Sequence, residues 1–474
     1  MIGAIARNEF LVLRRDGRVL ALVGLIGALA LLALLTAWAT HVKHEEQVRQ
    51  SQAEDSVVFL QQGAKPSHSA AHFGRMAYKP PAALAIFDPG AAPYLGQVIW
   101  LEAHRQDPAM FRPAEDAPEL SRLADLSIAG VLMSQLPLLI FVMGHGVYAW
   151  ERERGTLRQV VASGAGHGNI FAGKLIAVGG VGVCIALVVI AVATATAILA
   201  GKGDSTLDTI SRATGLFIGF AAYACACAGI ALLVSALTRT ATASLLILLT
   251  LWAVSIVVMP RIAASAADVL HPTPDSGSFW TEASEAIQAN RPKRGSVALR
   301  QIEQEVIGRA LGRELPPSEV PELNRAALGL EISEVLGAQV YTQAYEALYA
   351  TYDRQRKSRR ALSALSPAIA LSHWSSALAG TDVDAHRHFA DAAEQQRRQL
   401  IRRINEDMMV NGAGKAYDYL ASADFWRTVP DFSYRAPSAA FAMRSALIEL
   451  VLLFAWAALA VGAAWLVARR QTAI

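Results

Sequence analysis

The sequence predicts an all-α polytopic membrane protein. Six transmembrane helices are expected, with a helical periplasmic domain inserted between helices 5 and 6 and a smaller one between helices 1 and 2. Composition is the first reason. Of 474 residues, 53% are hydrophobic and 18% charged, with a mean hydropathy of +0.32, whereas soluble domains run nearer a quarter charged. Clustering is the second. The apolar residues gather into runs at 19–40, 128–150, 175–200, 213–237, 241–259 and 446–467, each near the roughly 17–25 residues that cross about 30 Å of hydrocarbon. None shows the alternation of a membrane barrel strand, so barrel and soluble readings are excluded.

The first run follows Arg7, Arg14, Arg15 and Arg18 and ends near Ala37-Trp38-Ala39. That resembles a secretory signal, but the run exceeds the roughly 7–15 residues of a signal core, so an uncleaved first span is expected. Orientation follows from short-segment cations. Those four arginines, Arg152, Arg154, Arg158 and Lys174 between spans two and three, Arg239 between spans four and five, and Arg469 and Arg470 after span six share one side. The short segment 201–212 on the other side has only Lys202 and Arg212. The positive-inside rule therefore puts both termini in the cytoplasm, which fits a bacterial inner membrane.

The expected division is an amphipathic cytoplasmic helix at 1–18, a periplasmic segment at 41–127, a cytoplasmic loop at 151–174, a large periplasmic domain at 260–440 and a tail at 468–474. Pro80-Pro81, Pro89-Gly90 and Pro93 break up the first periplasmic segment, leaving short helices near 44–62 and 95–105. In the second, 322–360 lacks proline, and Leu323, Ala327, Leu330, Val335, Tyr341, Tyr345, Leu348 and Tyr352 form an amphipathic stripe. Another helix fits 382–409. Thr381 with Asp384 forms a capping box, Phe389, Ala393, Leu400, Ile404 and Met408 supply the apolar face, and Asn411-Gly412 ends it. The three cysteines, Cys184, Cys225 and Cys227, fall in apolar runs, so no disulfide framework is expected outside them. A net charge of +3 over 474 residues gives no electrostatic case for nucleic acid.

The segment from Trp150 to Val161 carries the chemistry. Its Glu151, Arg152, Glu153 and Arg154 precede Gly155-Thr156-Leu157, and Val160 and Val161 follow. This reads as a short amphipathic helix at the membrane face, with Leu157, Val160 and Val161 docking on a partner or lipid and Glu151 pairing with Arg154. Glu151-x-x-x-Gly155-Thr156-Leu157, with Ser163 in a small-residue turn and Gly173-Lys174 opening the next span, resembles the signature of ABC type-2 transporter permeases. In that family the stretch is the coupling helix. Glu9, Arg14, Arg15 and Asp16 are similar to the family's amphipathic N-terminal helix, and Ser235-Ala236-Leu237-Thr238-Arg239 to its tight turn between spans four and five. The pieces Phe87-Asp88-Pro89-Gly90, Ser366-Pro367 and Ala379-Gly380-Thr381-Asp382 with His386 and Phe389 resemble a branch with a large, uncharacterised periplasmic domain.

The resemblance implies a permease subunit that forms a translocation path, exporting an unknown substrate. Glu151, Arg154, Gly155, Thr156, Leu157 and Val160 would couple it to a cytoplasmic ABC ATPase dimer, which binds ATP and Mg. A second permease, identical or related, and the lipid bilayer complete the partners, with a periplasmic protein as a further candidate. No cofactor or catalytic residue is expected on this chain. Gly168 to Gly173-Lys174 has P-loop spacing, but Leu175 follows where a Mg²⁺-binding hydroxyl is needed, and no strand precedes it. Histidine pairs at His41/His44 and His386/His388 are read as non-ligating, so no metal is expected. Polar groups in or beside spans, Gln135 and His145 in span two and Arg444 and Glu449 near span six, are candidate pathway residues, the last two also a candidate ion pair. Two alternatives stand beside this reading. One is a membrane-anchored scaffold or sensor; the other is a permease for copper or sulfur delivery in metalloenzyme maturation, which the lack of outer cysteines disfavours.

Overall fold

The computed structural model describes residues 1–116, 126–162, 164–200, 205–314, 316 and 322–470. Ser163 and Lys202, and the side chain of Val161, lie outside what is described. Within it the chain is an all-α membrane protein. Six helices are long and apolar enough to cross a bilayer. Single turns aside, helices are numbered α1 to α17.

Helix α1 (Ile2–Arg15) is followed by Asp16, whose extended backbone turns the chain and whose carboxylate caps α2 (Gly17–Leu60) through the Arg18 amide. The first span and the helix expected at 44–62 are one element. No glycine or proline interrupts residues 28–60, so 44 residues run on as a single rod of about 66 Å, half of it beyond any bilayer. Spans two to four are α4 (Ile128–Gly144), α7 (His167–Ala200) and α8 (Thr206–Leu237). Between the first two lie α5 (Ala149–Glu153) and α6 (Thr156–Ala162).

Span five is α9 (Ala241–Ala253), a π-helical turn at Val254–Val258 and α10 (Met259–Leu270). The boundary expected between 259 and 260 is not a helix end. The proline sits in the first turn of α10, where its missing N–H costs nothing, and the π turn absorbs the mismatch. The sixth span is α17 (Leu447–Ala468), preceded by α16 (Ala439–Ser445). Six crossings put both termini at one end of the bundle, called here the termini end. Aliphatic residues such as Leu31, Leu35, Val188, Leu199, Leu246, Ile247, Ile448 and Leu459 point outward and exposed, the belt a lipid solvent requires.

At the hub, α8 packs against α4, α7 and α17. Ala222, Ala224, Ala226, Ala228 and Ala231 let backbones approach closely. A Cβ on Gly229 would lie 2.7 Å from the Ala460 carbonyl carbon, so only glycine lets α17 seat there.

The far-end domain joins two insertions. Helices α11 (Ser276–Ala289) and α12 (Val297–Leu311) lean on α13 (Arg325–Leu362), which lies along α15 (Val383–Asn411). Their core holds Leu328, Ile332, Phe389, Leu400, Ile401, Ile404 and Met408. Asp382, not Thr381, caps α15 through the Ala385 amide; Thr381 Oγ1 instead donates to the carbonyls of Asp88 and Ser376. From the first insertion come α3 (Ser67–Phe73) and strands β1 (Lys65–Pro66), β2 (Arg75–Tyr78) and β3 (Val98–Leu101). β2 and β3 pair antiparallel, Arg75 opposite Leu101 and Tyr78 opposite Val98; β1 pairs with β4 (Leu420–Ala421). The helix expected at 95–105 is thus a strand. Val98, Ile99 and Trp100 favour a pleat, and Gly96 at φ 77° starts it.

One element crosses between the two regions. Helix α14 (Pro367–Ala379), which falls inside the span expected to be the large periplasmic domain, joins the core of the bundle. Its Trp374 is buried and donates from Nε1 to Gly215 O at 2.9 Å; Gly219 makes room for that indole.

Candidate functional site

The termini end of the bundle holds the residues with the strongest sequence signal. Lys174, near the start of α7, is 1% exposed. Its Nζ donates to Glu9 Oε1 at 2.6 Å, Glu151 Oε1 at 2.8 Å and the Val147 carbonyl at 2.9 Å. One cation therefore ties α1, the α4–α5 turn and α7 together. The close approach of α1 is set by Gly173, where a Cβ would meet Ile5 at 2.7 Å. Glu151 spends its charge here, so the expected Glu151–Arg154 pair does not form; Arg154 is exposed and lies over the Trp150 ring at 5.8 Å.

The next two charges sit at helix ends of opposite partial charge. Arg152 donates from Nη2 to Ala236 O at 2.8 Å and from Nη1 to Thr238 O, carbonyls where α8 ends. Glu153 accepts from the Ala241 amide at 3.1 Å, where α9 begins. Ser235 Oγ donates to His145 O and accepts from the Tyr148 and Ala149 amides. The run Glu151-Arg152-Glu153 thus binds spans three, four and five in turn.

The single amphipathic helix expected here is two. Gly155 has φ 69°, a left-handed conformation that ends α5 and redirects the chain into α6; Thr156 Oγ1 reaches back to Glu151 O at 3.3 Å. The apolar face also turns the other way from the expectation. Leu157 is buried in the bundle core and Val160 packs against it, while Arg154, Arg158 and Gln159 are exposed. What the element presents outward is polar. Glu9 faces Lys174, Asp16 caps α2, and Arg14 and Arg15 are exposed.

A family profile described as "ABC-2 family transporter protein" matches residues 3–468. The chain belongs to that family. The comparison with curated proteins finds no match. As an ABC-2 permease the chain is a membrane subunit of an ABC transporter. Gly168 to Lys174 is helical here, so the permease lacks a phosphate-cradling loop at that place.

The remaining polar residues of the permease do not converge. His145 is buried, with Nδ1 2.7 Å from Val142 O and its ring 4.8 Å from Trp150. Gln135 is half-buried and donates to Ser134 Oγ at 3.3 Å. Glu449 pairs with Arg360 of α13, at 2.7 Å from Nη2 and 2.8 Å from Nε, rather than with Arg444, which is exposed and bonds Ala440 O. Arg212 binds Asp208 at 2.7 Å, Leu378 O at 3.1 Å and Pro437 O, joining α8 to the far-end domain. Sequence reading passed over Lys174, Arg152, Arg212 and Arg360 as partners. A cation inside or at the mouth of an apolar helix was the available signal.

The far-end domain also holds a cavity of about 350 Å³, walled by Phe279, Trp280, Tyr345, Tyr349 and Tyr352. That is within the range of small-molecule sites. Asp107 Oδ2 and His386 Nδ1, on residues that line it, are buried without hydrogen-bond partners. Burial raises the Asp107 carboxyl to about 6. Burial, with Lys79 and Arg112 nearby, pushes the His386 imidazole down to about 3.

Proposed function

We propose that this chain is the permease subunit of an ATP-driven type-2 ABC exporter in a bacterial inner membrane. Both termini and the α5–α6 element face the cytoplasm, and the far-end domain lies in the periplasm. The permease pairs with itself or a related permease. Two separate ATP-binding-cassette subunits, which bind ATP and Mg, grip α5–α6. Closure of those subunits on ATP pulls on the element and, through it, on spans three, four and five at once, reorienting the permease halves about the path between them.

The observation that carries this reading is the Lys174 cluster, because a coupling device must convert a push on a surface loop into movement of whole helices. Glu151, Arg152 and Glu153 are bonded to three different spans or their ends, so the element has little freedom to move alone. The exposed face with Arg154, Arg158 and Gln159 is the contact surface for the ATPase. The orienting cations reinforce the topology: Arg7, Arg14, Arg15, Arg154, Arg158, Arg239, Arg469 and Arg470 gather at the termini end.

The test is co-purification with a co-expressed ATP-binding-cassette subunit. Arg154→Glu with Arg158→Glu abolishes recovery of the complex while membrane insertion persists. Gly155→Pro keeps the complex and lowers its ATPase stimulation. Recovery of a fully active complex from both variants overturns the assignment. A chain that never binds such a subunit but retains a periplasmic protein supports the rival scaffold or sensor reading, which the far-end cavity favours.

A further inference from the structure

We propose that His68, His72 and His104 form a binding site for a divalent transition-metal ion of the imidazole-preferring class, Zn²⁺ or Cu²⁺. His68 and His72 are four residues apart in α3 and so share a face. Their ring centroids are 4.6 Å apart, and His104 lies 5.0 Å from His72 and 5.5 Å from His68. One ligand nitrogen from each lies within 4.8 Å of the others. Among the described residues, this is the group of three ligand-type side chains that come together in this way.

The framework around them is fixed. Gly74, at φ 59°, ends α3 directly against β3, where a Cβ would meet Leu101 O at 2.4 Å. The Ala103 amide donates to Ala71 O at 3.0 Å, holding the segment that carries His104 against α3. His104 itself has φ 73°, a left-handed conformation that a non-glycine residue keeps only where its surroundings impose it.

Glu334 of α13 imposes it. Its carboxylate accepts from the His104 amide and lies 3.2 Å from His104 Nδ1. Arg397, buried on α15, holds Glu334 at 3.0 Å and Glu394 at 2.7 Å. A carboxylate on Nδ1 fixes the imidazole tautomer and leaves Nε2 with its lone pair free for an ion, the arrangement that supports metal-bound histidine. His72 and His104 are exposed and His68 half-buried, so an ion can enter from solvent and keep a fourth position open. Bound there, it would staple α3 to the strap that runs on from His104 into Gln106 and Asp107 of the cavity wall.

The experiment titrates Zn²⁺, and separately Cu²⁺, into tag-free, chelator-stripped full-length protein in detergent. One equivalent should bind, and the Cu²⁺ form should show nitrogen hyperfine structure from three imidazoles. His72→Ala and His104→Ala should each weaken binding more than about 100-fold, and Glu334→Gln about 10–100-fold. Both histidines are exposed, so circular dichroism should match the wild type. Ion addition should raise the melting temperature of the wild type and not of His72→Ala. Failure to bind either ion below millimolar, or one-equivalent binding unaffected by the His72→Ala, His104→Ala double variant, overturns the site. Neither result bears on whether the chain binds an ATPase.

Discussion

The bundle and the far-end domain are both helical, yet their cores are built on different physics. In the bundle, α8 meets its neighbours through Ala224, Ala226, Ala228, Gly229 and Ala231. In the far-end domain, α13 and α15 meet through Ile332, Phe389, Leu400, Ile404 and Met408, with Trp426 fully buried in the same core. Lipid gives helices no hydrophobic reason to associate, so the bundle relies on close backbone contact between small residues. Water does give that reason, so the far-end core uses large side chains. Each region also buries a cation between carboxylates, Lys174 in one and Arg397 in the other. Arg397 bridges the faces of two packed helices, whereas Lys174, itself in a span, reaches α1 and the α4–α5 turn. The same chemistry locks a packed core in one place and, in the other, joins a span to the elements at its termini end.

The largest expected effects test that contrast. Lys174→Met leaves the half-buried Glu9 and Glu151 without their cation and should destabilise the protein by about 2–4 kcal/mol, seen as a lower melting temperature in detergent. Adding Glu9→Gln and Glu151→Gln should recover most of the loss; no recovery would mean that the lysine acts by packing alone. Phe389→Ala should cost about 3–4 kcal/mol in the far-end domain. Hydrogen exchange should then rise along α13 and α15 and stay unchanged in α8, and equal loosening of both would dissolve the distinction between the cores.

A smaller effect depends on pH. His386 is buried neutral with its pKa lowered to about 3 from the ordinary 6.5. Between those values the unfolded chain binds the extra proton, so stability is full above about 6.5 and is lost as pH falls toward 3. Taking pH from 7 to 4 should cost about 2–3 kcal/mol more in the wild type than in His386→Leu. Asp107 and Asp382, both raised to about 6 by burial, slope the opposite way, so the difference between the two proteins is the quantity to measure. The smallest effect returns to the bundle. Gly229→Ala should cost about 1–2 kcal/mol by pushing α17 away from α8, whereas an alanine in place of an exposed far-end glycine such as Gly329, which has open space around it, should be neutral or stabilising.

Much of the fold is legible from local pattern. Hydropathy locates all six spans, and the apolar face and terminal Gly412 locate α15. The element before Gly155 is legible by its residues, but its bonding is not, because Lys174 meets Glu9 across 165 positions. The apolar face of α6, Leu157 and Val160, could be aimed at a partner or at the chain's own core with equal sense until α4 and α7 are in place. Helix α14 is hidden for another reason: at 13 residues it is too short to read as a span. The β2–β3 hairpin is masked by the prolines around it, and the histidine trio by the fold, since β3 alone carries His104 to α3.

The unbroken run of α2 has a mechanical consequence. Its inner half packs against α4 in the bundle, and its outer half is fastened to the far-end domain by Gln52 on Phe432 O, Ser56 on Asp431 and Asp55 on Arg75. A stiff rod of about 66 Å turns each degree of tilt at one end into roughly 1 Å of sweep at the other. The first span and the far-end domain are therefore joined by one continuous helix, so a tilt of that span is carried toward the domain fastened to it.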